Sequence, residues 1–273
     1  MVRFEYENWM LSKYRGSTSL PIALQTIHEK AISMTQRTNE FGQPVGEELP
    51  DWQPVSHPPR TPMEGHYCRT EAFDVDRHAS DLYEAYAANE DGSMWTYMPS
   101  GPFADEAAFR AWMGPACESE DPLFYTLIDT ASGKAVGQAA YLRITPAHGV
   151  IEVGNIAFSP RLQRTPIATE AMFLMMRRVF NELGYRRYEW KCDSCNAPSR
   201  RAAERFGFTY DGLFPQAIVY KGRNRDTTWF SVINKDWPAT ERAYEAWLDP
   251  ENFDADGQQK RKLSDLIAAN QRD

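Results

Sequence analysis

Cysteine is scarce: four in 273 residues cannot build a disulfide framework. With no secretory signal visible near the N-terminus, a reducing cytoplasm is the expected location. No apolar run is long enough to span a bilayer, so no membrane-spanning role is expected. Basic charge is short as well, 30 Lys and Arg against 38 Asp and Glu, for a formal net charge of -8. A general nucleic-acid binder needs a basic face to neutralise phosphates, so nucleic acid is not an expected partner. Cys192 and Cys195 have CxxC spacing. Neither a second CxxC nor a nearby His pair accompanies them, and two unlinked thiols are favoured over a redox dithiol or half a zinc site. GxxxxGK and GxGxxG are both absent, which removes the Walker A loop and the Rossmann fingerprint.

What is present is led by one stretch, Ile151 to Gly184. Val150 to Phe158 is rich in Val, Ile and Phe and too short for a helix, so it reads as a strand closed by Ser159 and Pro160. From Ile167 onward Ala168, Ala171, Met172, Met175, Val179 and Leu183 recur at helical spacing, with Gly184 at the C-cap position. Between strand and helix, Arg161, Gln163, Arg164 and Thr165 form a cationic loop, and Pro166, with its fixed φ, suits a first helical position. The free N–H groups and dipole of that helix face the loop, a combination that holds phosphate-bearing ligands.

Gln163-Arg164-Thr165-Pro166-Ile167-Ala168 resembles the acyl-CoA pyrophosphate loop of the GNAT acyltransferase superfamily: Arg or Gln, two residues, Gly, one residue, then Gly or Ala. Pro166 replaces the first Gly and has no N–H to donate. Downstream, Asn196, Ser199, Gly207 and Phe208 in NAPSRRAAERFGF resemble the second signature of the branch that includes the ribosomal-protein N-terminal acetyltransferases RimJ and RimL. The resemblance implies an α/β (α+β) GNAT fold, a mixed and mostly antiparallel sheet with flanking helices and a splayed strand pair at the acyl-CoA site. It implies acetyl-CoA as donor cosubstrate, without a metal. The cofactor would be held by the backbone at Ile156 and Phe158 and by Gln163, Arg164, Thr165, Ile167, Ala168, Thr169 and Asn196.

Acyl transfer to an amine needs a neutral nucleophile, polarisation of the carbonyl and a proton for the leaving thiolate. Glu152, on the key strand, is the candidate base, against the alternative of a carboxylate paired with an Arg. The tyrosine that many superfamily members are expected to use as acid, seven residues beyond the Asn, is Ala203 here. Ser199 is the candidate donor instead, against the alternative of a helix-start serine that satisfies backbone groups. Trp95 and Tyr97 stand in an aromatic segment, Met94 to Pro99, that either lines the acceptor site or closes the core over the second helix. The acceptor is expected to be a primary amine of a small molecule, because neither a basic groove nor ribosome-type tails are visible. A protein N-terminus and a non-catalytic CoA-binding or partner-binding module are the alternatives.

Four segments organise the chain. Residues 1–40 carry an amphipathic pattern from Ser19 to Met34, Leu24, Ile27, Ala31 and Met34 sharing one face, a helix packed on its own domain or else one for a homodimer, another partner or an organelle address. Residues 41–65 are Pro-rich, an extended linker or strap. Residues 66–237 hold the matched motifs. Residues 238–273 form a C-terminal helical extension, its charged tail with Leu263, Leu266 and Ile267 read as peripheral.

Overall fold

The computed structural model describes residues 37–271, so the expected helix bearing Leu24, Ile27, Ala31 and Met34 lies outside the described residues. The chain divides into two compact units, Met1–Trp52 and Gln53–Asp273. Within the first, β1 (Arg37–Thr38) and β2 (Pro44–Val45) form a small antiparallel ladder. Asn39 Oδ1 closes its turn by accepting from the N–H groups of Phe41 and Gln43.

The second unit is built on one eight-stranded sheet: β3 (Met63–Glu64), β4 (Cys68–Ala72), β5 (Leu123–Asp129), β6 (Ala135–Thr145), β7 (Val150–Phe158), β8 (Arg187–Asp193), β9 (Thr209–Tyr220) and β10 (Arg223–Ile233). Their order is β3-β4-β5-β6-β7-β8-β10-β9, and every neighbouring pair is antiparallel except β7 with β8. Helices α1 (Val75–Ala87) and α2 (Glu106–Met113) bury Leu82, Tyr86, Phe109 and Met113 with Phe124 and Ala140 of the sheet. The main core joins the sheet to α3 (Pro166–Arg177), α5 (Trp237–Leu248) and α6 (Leu263–Asn270), with α4 (Ala197–Arg205) after β8.

Helix α3 has nine of its twelve residues buried, which is why its sequence is apolar on almost every side rather than along a stripe. Glu170, in its second turn, is buried and accepts from three successive amides, His66 at 2.8 Å and Tyr67 and Cys68 at 2.6 Å, fastening the helix to the start of β4. Arg178 just beyond donates to Thr61 O and Pro62 O. With Tyr125 Oη on Pro59 O and Tyr185 Oη on Ser56 O, it holds the irregular residues 53–62 through their carbonyls, the groups an extended Pro-rich segment leaves unpaired.

Two stretches differ from expectation. The sequence reads as a closing pair of strands, Phe208 to Leu213 and Thr227 to Asn234, but the hairpin is longer: β9 runs through Pro215, because three residues, Pro215 to Ala217, bulge opposite Asp226 on an edge strand, where a missing N–H costs no ladder bond. The C-terminal tail is not peripheral. Leu263 and Ile267 are 1% and 6% exposed and belong to the main core, Ile267 reaching Gly207.

Candidate active site

The parallel pairing of β7 with β8 ends at Val153 opposite Trp190, and beyond it the two strands part. On its other edge β7 bulges: Asn155 and Ile156 together face Ala139, with Asn155 held at φ 49. From Asn155 to Phe158 the β8-facing edge of the strand therefore has no strand partner. A cavity of about 550 Å³ fills the parting and extends to Tyr97, Phe214 and Tyr220. Ile156, Glu152, Asn196, Ser199 and Tyr97 all line it.

The loop after β7 leads into α3. Leu162 is wholly buried, while Gln163 Nε2 folds back onto Phe158 O at 2.9 Å. Arg161 pairs with Glu84, leaving exposed Arg164, at φ 64, as the loop's uncommitted cation among the described residues. Thr165 is the N-cap of α3, yet its hydroxyl bonds Leu162 O and no side chain caps the helix. Pro166 sits at N1 without an N–H, so Ile167 and Ala168 carry the outward-facing helical N–H groups. These groups and Arg164 fit a pyrophosphate. Thr169 is placed differently: it lies past the free N–H positions, and its buried hydroxyl accepts from Arg205 at 3.0 Å.

Glu152 is 4% exposed and points to the sheet face opposite that of its core neighbours Ile151 and Val153. Its Oε2 takes both Arg143 Nη1 at 2.9 Å and Lys191 Nζ at 2.8 Å. Lys191 also bridges to Glu189 and lies 3.6 Å from the centre of the Trp229 ring. Burial raises the Glu152 carboxyl above the usual range, and Lys191 and then Arg143 pull it back. The carboxylate is thus ion-paired with an Arg, the second alternative, and it also lines the cavity.

Ser199 stands across the parting. Asn196 caps α4 through Oδ1, which accepts from Ser199 N at 3.1 Å. The Ser199 hydroxyl accepts from Trp190 Nε1 at 3.1 Å, so its own proton is directed elsewhere. Tyr97 reaches across to donate to Cys195 O at 3.1 Å. Trp95 parts company with it. It is 3% exposed, packed edge-on against Tyr86 and Phe103, and lines a separate hollow.

Sequence reasoning missed Arg143, Lys191, Trp190 and the hairpin tip. Burial, and after it the hydrogen bond that Tyr220 donates to Asp193 at 2.8 Å, pushes its phenol up to about 12. Lys221 donates to Trp95 O at 2.7 Å and Gly101 O at 3.2 Å, fastening the β9–β10 tip over the cavity. Each of these meets a partner at the site that belongs to another element of the fold, so no local pattern marks it. Among the described residues no cluster of three or more His, Cys, Asp or Glu could hold a metal ion.

Residues 73–209 match the model of the acetyltransferase (GNAT) domain family. A crystal structure of a GCN5-related N-acetyltransferase from Brucella melitensis is 50% identical, covering 81% of this chain and 100% of that one, with a TM-score of 0.79. A probable GNAT-family acetyltransferase from Chromobacterium violaceum ATCC 12472 is 41% identical over 72% of this chain and 98% of its own, with a TM-score of 0.67. The uncharacterized N-acetyltransferase YnaD of Bacillus subtilis (strain 168) is 22% identical over 157 residues, 58% of this chain and 90% of that protein. The chain belongs to the GNAT family and is an acetyltransferase enzyme.

Proposed function

We propose that the protein transfers the acetyl group of acetyl-CoA to the primary amine of a small molecule, by direct attack in a ternary complex. The observation that carries this is the meeting of Glu152 and Ser199 on one cavity at the parting of β7 and β8. Bound acetyl-CoA supplies an activated thioester and a thiol leaving group. Ile167 N–H, Ala168 N–H and Arg164 hold its phosphates, and the unpaired edge of β7 at Ile156 and Phe158 takes the pantetheine arm. Asn196 Nδ2 is left for that arm, because its Oδ1 caps α4. Glu152 accepts a proton from the incoming ammonium through water, the freed amine bonds the thioester carbonyl carbon as the C–S bond breaks, the nitrogen's second proton passes to the thiolate, and Ser199 donates a hydrogen bond to the departing sulfur. The Asn196 and Ser199 pattern favours a second reading, a protein N-terminus as acceptor, as in the RimJ and RimL branch.

Acetyl-CoA with a panel of small amines and short peptides, in metal-free buffer, tests the assignment by thiol release and acetylated product. Transfer to small amines is expected. Binding of CoA with no transfer to any amine overturns it in favour of a non-catalytic module, and transfer to peptides alone favours the second reading.

A further inference from the structure

The two carboxylate oxygens of Glu152 are used differently. Oε2 is consumed by Arg143 and Lys191, whereas no described residue donates to Oε1. Oε1 is directed toward Gly154: a Cβ built on that glycine would lie 3.4 Å from it and 2.9 Å from Leu142 Cδ2. Leu142 and Glu152 are partners across β6 and β7, and both line the cavity with Gly154. A slot between them therefore exists because residue 154 has no side chain. It is narrow, since a single tetrahedral carbon at that depth already crowds Leu142. It opens one residue ahead of the β7 bulge, beside the edge assigned above to the thioester arm.

We propose that this slot selects the acceptor as a primary amine borne on an unbranched methylene, its nitrogen entering over Gly154 to face Glu152 Oε1. The inference rests on the proposed role of Glu152. An amine on a branched carbon, as in most α-amino acids and most protein N-termini, carries a second substituent beside the nitrogen. That substituent meets Leu142. Gly154 and Leu142 are thus specificity-determining residues, and the small-molecule acceptor narrows to aminoalkyl compounds.

Matched pairs test this: n-butylamine against sec-butylamine, and a Gly-initiated against an Ala-initiated peptide. Within each pair that is acetylated, the unbranched member is expected to have a kcat/KM at least about tenfold higher, the scale on which one misplaced carbon discriminates in an apolar pocket. Leu142→Ala should bring the branched member to within about threefold of its partner, because it removes the blocking methyls. Gly154→Ala should lower kcat/KM for n-butylamine about tenfold or more while the Kd for acetyl-CoA stays unchanged. Leu142→Ala added to Gly154→Ala relieves the crowding at Leu142 but leaves the new methyl in front of Oε1. It should restore any lost melting temperature without restoring kcat/KM for n-butylamine. Equal use of branched and unbranched amines by the unaltered enzyme, or full activity in Gly154→Ala, overturns the slot alone. No transfer to any amine instead overturns the transferase reading on which it stands.

Discussion

The role proposed for Ser199 is set at the scale of one hydrogen. Trp190 Nε1 occupies a lone pair on its oxygen and orients the hydroxyl, so the proton is free to meet a sulfur whose charge grows during the reaction. An interaction that strengthens with developing charge raises kcat more than it tightens binding. Ser199→Ala is expected to lower kcat roughly ten- to hundredfold, the worth of about 1.5 to 3 kcal/mol for a hydrogen bond to a charged group, with little change in acetyl-CoA Kd. Steady-state kinetics beside calorimetry separates the two, and equal losses would make Ser199 a binding or structural group. In the proposed mechanism Glu152 sets the acid limb of the pH profile. As a base it works deprotonated, and burial raises its pKa, so activity falls as pH drops through a value above the usual 4.5. Lys191 opposes that rise, so Lys191→Met should move the acid limb of the kcat/KM profile to higher pH, and Glu152→Gln should abolish the limb. A limb unmoved in both variants assigns Glu152 to structure. The sequence singled out Glu152 and Ser199. It did not single out their partners, which come from neighbouring strands and depend on register.

At the scale of elements, loop and helix α3 form one device. Proline at N1 gives up a donor worth roughly 1.5 to 3 kcal/mol toward a phosphate but holds φ at the helical value, so less order is imposed on binding. The two effects oppose each other. Pro166→Gly should change acetyl-CoA affinity by less than about tenfold. Ala168, at N3, is 7% exposed beside the free N–H groups, and Ala168→Leu should weaken binding by more than about tenfold through collision with the pyrophosphate. Calorimetry, with melting temperatures as a folding control, checks both. Loss of binding in Pro166→Gly with a silent Ala168→Leu places the phosphates elsewhere. This element was legible because strand, loop and helix are consecutive, and local spacing encodes them. The β9–β10 hairpin was not, since Pro215 signals a break that only an edge position with a bulge tolerates.

At the scale of the molecule, every candidate site residue lies in the unit Gln53–Asp273. A chain beginning at Phe41 is therefore expected to fold and to transfer acetyl groups with kcat/KM within about threefold of the full chain, well inside one decade or 1.4 kcal/mol. Activity assays with thermal unfolding check this. Insoluble or inactive protein would make the first 40 residues part of the catalytic unit. Loss of dimerisation alone would give them a partner role. The C-terminal end is different, because Leu263 and Ile267 fill the main core and their removal would open cavities there.

The sequence by itself determined the succession of strands and helices around Val150 to Leu183, the cationic loop between them and the family. Those follow from periodicity and from motifs a few residues long, in which local backbone geometry decides the outcome. Tertiary structure decided which charges meet. Lys191 and Arg143 reach Glu152 from strands on either side of β7, Trp190 orients Ser199, and Trp95 turns into the core while Tyr97 faces the cavity. It also opened the slot at Gly154, since a glycine in a strand gains a function only when a neighbouring strand places Leu142 and a carboxylate on either side of the missing side chain.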